Sequence, residues 1–170
     1  MKTTEYTGNL NLNLSGQISY KDYRNTMLEL FFKGAVTKIV LFLAIILFIS
    51  FVMGKNQIGF YLFPLVFFYF FVFFSVIYQA KKIYRENKTF RENLTYHIDN
   101  EIITITSETA HSTQKWSRFF EIKETRTSFV LFHDSIVANY LDKKMFSAEE
   151  IVEFRKFLNS LDVKKKLKNK

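Results

Sequence analysis

Ala35–Met53 reads AVTKIVLFLAIILFISFVM and Ile58–Tyr78 reads IGFYLFPLVFFYFFVFFSVIY, and the reading of these two runs decides the fold. The first carries a single charge, Lys38; the second, 21 residues long with 11 aromatics, carries none. At about 1.5 Å per helical residue, each run reaches roughly the 30 Å of a bilayer's hydrocarbon core. Only Gly54, Lys55, Asn56 and Gln57 separate them, which is room for a turn. A core helix of a globular protein keeps a polar face, and neither run shows one. The pattern predicts a two-helix transmembrane hairpin, residues 35–53 and 58–78.

The charges sort around these runs. The chain carries 24 basic and 16 acidic side chains, for a net charge of +8. Residues 94–163, the one further segment long enough to fold, hold 8 basic and 11 acidic side chains, so the excess lies beside the apolar runs and in the tail. A nucleic-acid reader needs its basic patch on a folded surface, so nucleic acid is not an expected partner. Lys21, Arg24, Lys33 and Lys38 stand before or at the start of the first run, and Lys81, Lys82, Arg85, Lys88 and Arg91 follow the second; the turn has Lys55 alone. The positive-inside rule then predicts a multi-pass membrane protein with both termini in the cytoplasm and the short turn outside.

Working outward, residues 1–34 read as an N-terminal strand and an amphipathic helix on the cytoplasmic side. Leu10, Leu12 and Leu14 alternate with Asn11 and Asn13, and Ser19 with Asp22 opens the helix. Residues 79–163 read as a cytoplasmic β domain: 79–93 hold no helix breaker and continue the second helix, and from Leu94 the pattern changes period. Leu94–Ile98, Glu101–Thr106, Gln114–Lys123, Phe129–His133 and Ile136–Leu141 read as strands with hairpin-scale connections, an antiparallel meander. Ser147 and Glu150 make a capping box, and Ile151, Phe154, Phe157, Leu158 and Leu161 form one apolar stripe on a closing helix. Residues 164–170, KKKLKNK, read as a polybasic tail. The fold class expected is membrane α+β: the transmembrane hairpin plus a small antiparallel β domain closed by a C-terminal amphipathic helix.

Residues 114–158, QKWSRFFEIKETRTSFVLFHDSIVANYLDKKMFSAEEIVEFRKFL, have a recognisable order. A tryptophan precedes an isoleucine-containing strand and an aromatic-rich strand. A basic turn ending in phenylalanine then leads into an acidic helix. This order resembles the C-terminal domain of YcxB-like bacterial membrane proteins. Trp116, Ile122, Phe129, Phe132, Lys143, Lys144, Phe146, Glu149, Glu150 and Phe154 stand at matching places, while Asp142 replaces the family's proline. Upstream, Lys21-Asp22-Tyr23 matches the helix start that precedes the membrane helices in that family. The resemblance implies a β-rich cytoplasmic domain similar to pleckstrin-homology-like folds, and it implies no activity.

The residues offer little chemistry. There is no cysteine, which excludes thiolate metal sites and cysteine nucleophiles. His97, His111 and His133 lie on separate segments, with His97 and Asp99 the nearest approach to a pair. No phosphate-binding or dinucleotide loop is present. The expectation is therefore a non-enzymatic binding protein with no catalytic residue, cofactor or metal. Trp116, Arg118, Lys143, Lys144 and Phe146 are its candidate partner surface. Lys81, Lys82, Arg85, Lys164, Lys165, Lys166 and Lys168 are candidates for contact with anionic lipid at the inner leaflet. The partners expected are the membrane, anionic lipid and a protein. A toxin-immunity protein and a membrane-bound enzyme are the competing classes.

Overall fold

The computed structural model describes residues 6, 8–52, 59–135 and 137–168. It divides into two units, one of residues 1–26 with 84–170 and one of residues 27–83.

In the second unit, the apolar runs form helices. The first helix of the chain, α1 (Tyr20–Lys33), contributes its latter half; α2 (Ala35–Val52) and α3 (Gly59–Glu86) follow. Gly34 separates α1 from α2, and Thr37 donates its hydroxyl to the Phe31 carbonyl at 2.7 Å. Phe31 meets Tyr69 with ring centroids 6.2 Å apart, and Phe32 meets Phe73 at 5.9 Å. The connecting turn Gly54–Gln57 lies outside the described residues.

Among the described residues, no helix is long and apolar enough to cross a membrane. That finding corrects the expected transmembrane hairpin, and with it the integral inner-membrane placement with both termini in the cytoplasm. Length and charge give the reason. The 18 residues of α2 rise about 27 Å, short of a ~30 Å core, and Lys38 lies in the opening turns. The 28 residues of α3 are not one apolar element, because the end of the helix carries Lys81, Lys82, Arg85 and Glu86. Large apolar side chains such as Phe42, Phe48, Phe71 and Phe74 remain exposed.

Among the described residues, the first unit is built on two four-stranded sheets. One is ordered β1 (Asn11–Gly16), β2 (Leu94–Asp99), β3 (Ile102–Thr106) and β4 (His111–Lys115), all antiparallel. The N-terminal strand thus joins the sheet, with Leu12 opposite Ile98 and Leu14 opposite Tyr96. Its alternation is real: Leu12 and Leu14 are buried and Asn11, Asn13 and Ser15 exposed. The other sheet is ordered β7 (Ala138–Asp142), β6 (Ser128–Phe132), β5 (Glu121–Glu124) and β8 (Lys164–Lys166), the last running parallel to β5. Between β7 and β8 lies α4 (Ala148–Ser160), whose Ser147 and Glu150 close a reciprocal capping box.

The expected single meander is corrected at Trp116. The strand read as Gln114–Lys123 breaks into β4, a 3-10 turn at Trp116–Arg118, and β5. Burial of the indole drives the break, since its Nε1–H donates to the Asp99 carbonyl at 2.9 Å and a straight strand would hold it away. Residue 136, read as the start of a strand, lies outside the described residues. The core gathers Ile122, Phe129, Leu131 and Leu141 under Phe154 and Leu158 of α4. Phe154 meets Phe129 edge-on at 5.0 Å and Phe146 at 5.4 Å. Tyr96 ties one sheet to the other, donating its buried hydroxyl to the Tyr140 carbonyl at 2.9 Å. At Gly16 a Cβ would come within 3.0 Å of Met145 Cγ, so the absence of a side chain there lets β1 approach the turn after β7.

Candidate binding face of the second sheet

Strand β5 reads EIKE, and the period of two sends its residues to opposite faces. Ile122 and Glu124 point one way, Glu121 and Lys123 the other. The register places Glu121 beside Phe132 on β6 and beside Lys164 on β8, and Lys123 beside Lys166. Three ammonium groups therefore converge on one carboxylate. Lys123 Nζ is 2.9 Å from Glu121 Oε2, and Lys164 and Lys166 are 3.6 and 3.8 Å from Oε1. Burial opposes ionisation of Glu121, but the Lys123 hydrogen bond and the three positive charges outweigh it and hold the carboxyl below its ordinary value.

The cluster retains an excess of positive charge. Lys164 and Lys166 stand beyond hydrogen-bond distance of Glu121, and their side chains are 59% and 69% exposed. Aromatic rings line the same area. Lys123 Nζ sits 4.6 Å from the Phe132 centroid, and Lys164 Nζ sits 5.4 Å from that of Phe120, itself 54% exposed. Phe120 is held at the sheet by its N–H, which donates to the Phe132 carbonyl at 2.8 Å.

Glu124 faces the core side and is fully committed there. Lys143 Nζ reaches its Oε1 at 2.6 Å, Arg155 approaches through Nε and Nη2 at 2.6–3.1 Å, and the Lys168 N–H donates to Oε2 at 3.0 Å. Burial again pushes the carboxyl up, and these donors together pull it below its ordinary value. Lys143 shows the converse: burial lowers its ammonium, against the pull of Glu124.

The residues singled out in the sequence are dispersed by the fold. Trp116 is buried, with its ring 5.2 Å from Phe157 and 5.7 Å from Phe119. Phe146 is buried too, and Lys143 is bound to Glu124. Lys144 is exposed but pairs with Asp22 at 2.5 Å; the burial that would raise the Asp22 carboxyl is outweighed by Lys144 and Ser19, which lower it. Arg118 is exposed, two residues before Phe120. Lys81, Lys82 and Arg85 are exposed along α3. The stretch read as a polybasic tail is strand β8 over Lys164–Lys166. There Lys165 turns its ammonium back onto the carbonyls of Leu158, Asn159 and Leu161 at the end of α4. This is a helix C-terminus satisfied by a cation.

The histidine pairing does not form. His97 Nδ1 is 2.8 Å from Asn13 Oδ1, while Asp99 Oδ1 accepts the N–H groups of Glu101 and Ile102 at 2.7 Å. Among the described residues, no three histidine or acidic side chains could hold a metal ion. A wide-mouthed hollow of about 520 Å3 lies between Tyr6 and the opening turns of α4, lined by Glu149, Val152, Glu153 and Lys156. Phe120, Glu121 and Lys123 were not singled out, and Phe132 was named only as a position of the family resemblance. Their signal was the alternation within EIKE, but the parallel docking of β8 that completes the cluster has no local signature.

Residues 98–158 match the family model described as YcxB-like protein, so the chain carries a YcxB-like domain. The match runs from the end of β2 to α4 and includes β5, β6 and β7. No curated protein matches the chain. No solved structure matches it either.

Proposed function

We propose that the YcxB-like domain is a non-enzymatic protein-binding module. The observation that carries this reading is the second sheet's outer face, where exposed Phe120 stands beside lysines whose charge Glu121 does not balance. An exposed aromatic offers a partner apolar contact area, and the unbalanced lysines beside it favour a partner of opposite charge. The buried ionised groups support the same reading from the other side. Glu124 and Asp22 are occupied in holding α4, the Lys143–Met145 turn and α1 to the sheets. Their charge is used in architecture.

The test is cross-linking of the full chain in the cells that make it, followed by mass spectrometry. One stoichiometric protein cross-linked within the domain, and lost in an Arg118→Ala/Phe120→Ala variant, is the expected result. Absence of any protein above background would refute the module.

A further inference from the structure

We infer that the β8 edge of the second sheet docks an extended acidic segment of a partner protein. The inference rests on the binding-module reading and names the chemistry of its partner.

Three observations combine. First, β8 is the terminal strand of its sheet, bonded to β5 on one side and to no strand on the other among the described residues. Such an edge presents unpaired N–H and C=O groups to an incoming strand. Second, Lys164 and Lys166 are two residues apart in that strand and project to the same face, with donors beyond hydrogen-bond distance of Glu121. An extended peptide repeats its side chains at the same interval, about 6.6–6.8 Å, so carboxylates at alternate positions meet both ammonium groups. Third, Phe120 lies exposed under Lys164 and offers apolar contact between the charges.

The charge count favours carboxylates over a polyphosphate backbone. The face has three lysines around one buried carboxylate, while residues 94–163 as a whole hold more acidic than basic side chains. A long polyanion tracking across the domain would meet repulsion beyond this patch, whereas a short acidic strand is confined to it.

The probe is a fluorescein-labelled peptide of alternating glutamate and threonine, titrated against the full chain by anisotropy at low salt. The expected result is saturable binding that weakens with salt and falls about fivefold in Lys164→Gln/Lys166→Gln, as expected for two exposed ion pairs. Lys88→Gln/Arg91→Gln removes the same charge elsewhere and should leave binding unchanged. A peptide with proline at the alternate positions keeps the charge but loses half of its N–H donors and is held at a φ of about −65°, away from strand geometry, and should bind more weakly.

Equal losses in the two double variants would overturn the inference, as would equal binding of the proline peptide. Binding to phosphatidylserine vesicles without binding to the peptide would also overturn it. Melting temperatures identify a folding defect, and Phe120→Ala then serves as a variant that spares the lysines; its expected result is weaker peptide binding, and unchanged binding counts against the inference. If the cross-linked protein is retained undiminished by Lys164→Gln/Lys166→Gln, the module stands and this docking site falls. If no protein is cross-linked at all, the module itself falls.

Discussion

Arg155 Nη2 lies 2.6 Å from Glu124 Oε1, and this contact fastens α4 to β5. The carboxylate has no exposure of its own, so its four donors replace all of its hydration. Glu124→Ala leaves Arg155 and Lys143 facing each other without a counter-charge. Removing one partner of such a buried network costs about 3–5 kcal/mol. Urea unfolding should show the loss as a lower midpoint with an unchanged slope.

Acid should weaken the fold through the same groups. Glu121, Glu124 and Asp22 are all held below their ordinary values. Each therefore contributes stability that is present above its unfolded pKa and lost as pH falls through the lower folded one. Asp142 is the opposite case, because burial raises its carboxyl. Its contribution is present below the ordinary value and lost as pH rises through the folded one. Urea midpoints should fall below about pH 4, and Glu124→Gln should flatten that acid limb. Asp142→Asn keeps an oxygen for the Lys144 N–H and removes a buried charge, so it should raise the midpoint at pH 7 and leave it unchanged at pH 3.

Trp116 reports on the core. Trp116→Ala should cost about 3–5 kcal/mol, the range for a large buried aromatic. Trp116→Phe keeps most of the packing and loses the bond to the Asp99 carbonyl, for about 1 kcal/mol. Thermal melting ranks the two. In the unaltered chain the tryptophan fluorescence should be blue-shifted and shift red on unfolding.

The last strand should be structural. A chain ending after Val163 loses β8, the Lys165 cap on α4 and the Lys168 N–H on Glu124. These bonds involve charged groups and together are worth about 2 kcal/mol or more. The truncated chain should melt lower and be cut by protease near the end of α4. An unchanged melting temperature would show that β8 adds nothing to the fold.

Local periodicity carried the elements, and long-range pairing did not show in it. Leu12 and Leu14 alternate as a strand must, and Ser147 with Glu150 marks the start of α4. The positions of Trp116 and the terminal lysines depended on distant partners: Asp99 for the indole, the end of α4 for Lys165, and Glu121 for Lys164 and Lys166. Lysine is a poor strand former, and three in a row resemble a solvated tail until β5 gives them somewhere to pair. The apolar runs misled for a related reason. A window of residue types counts Ala35–Tyr78 as two spans, whereas among the described residues no helix is long and apolar enough to cross a membrane; the continuation of α3 past Tyr78 to Glu86 was legible, because that segment holds no helix breaker.

The pairing of Asn11 with Asp99 has a consequence for synthesis. β1 and β2 are neighbours in one sheet, yet all of α1, α2 and α3 is made between them. A ribosome releases β1 first, and that strand must wait with its hydrogen bonds unmade until β2 emerges. Every intermediate of the nascent chain before that point has apolar helices and no sheet to fold with. The interval is a window of exposure to chaperones and to misassembly, and its length is set by translation speed through the apolar segment.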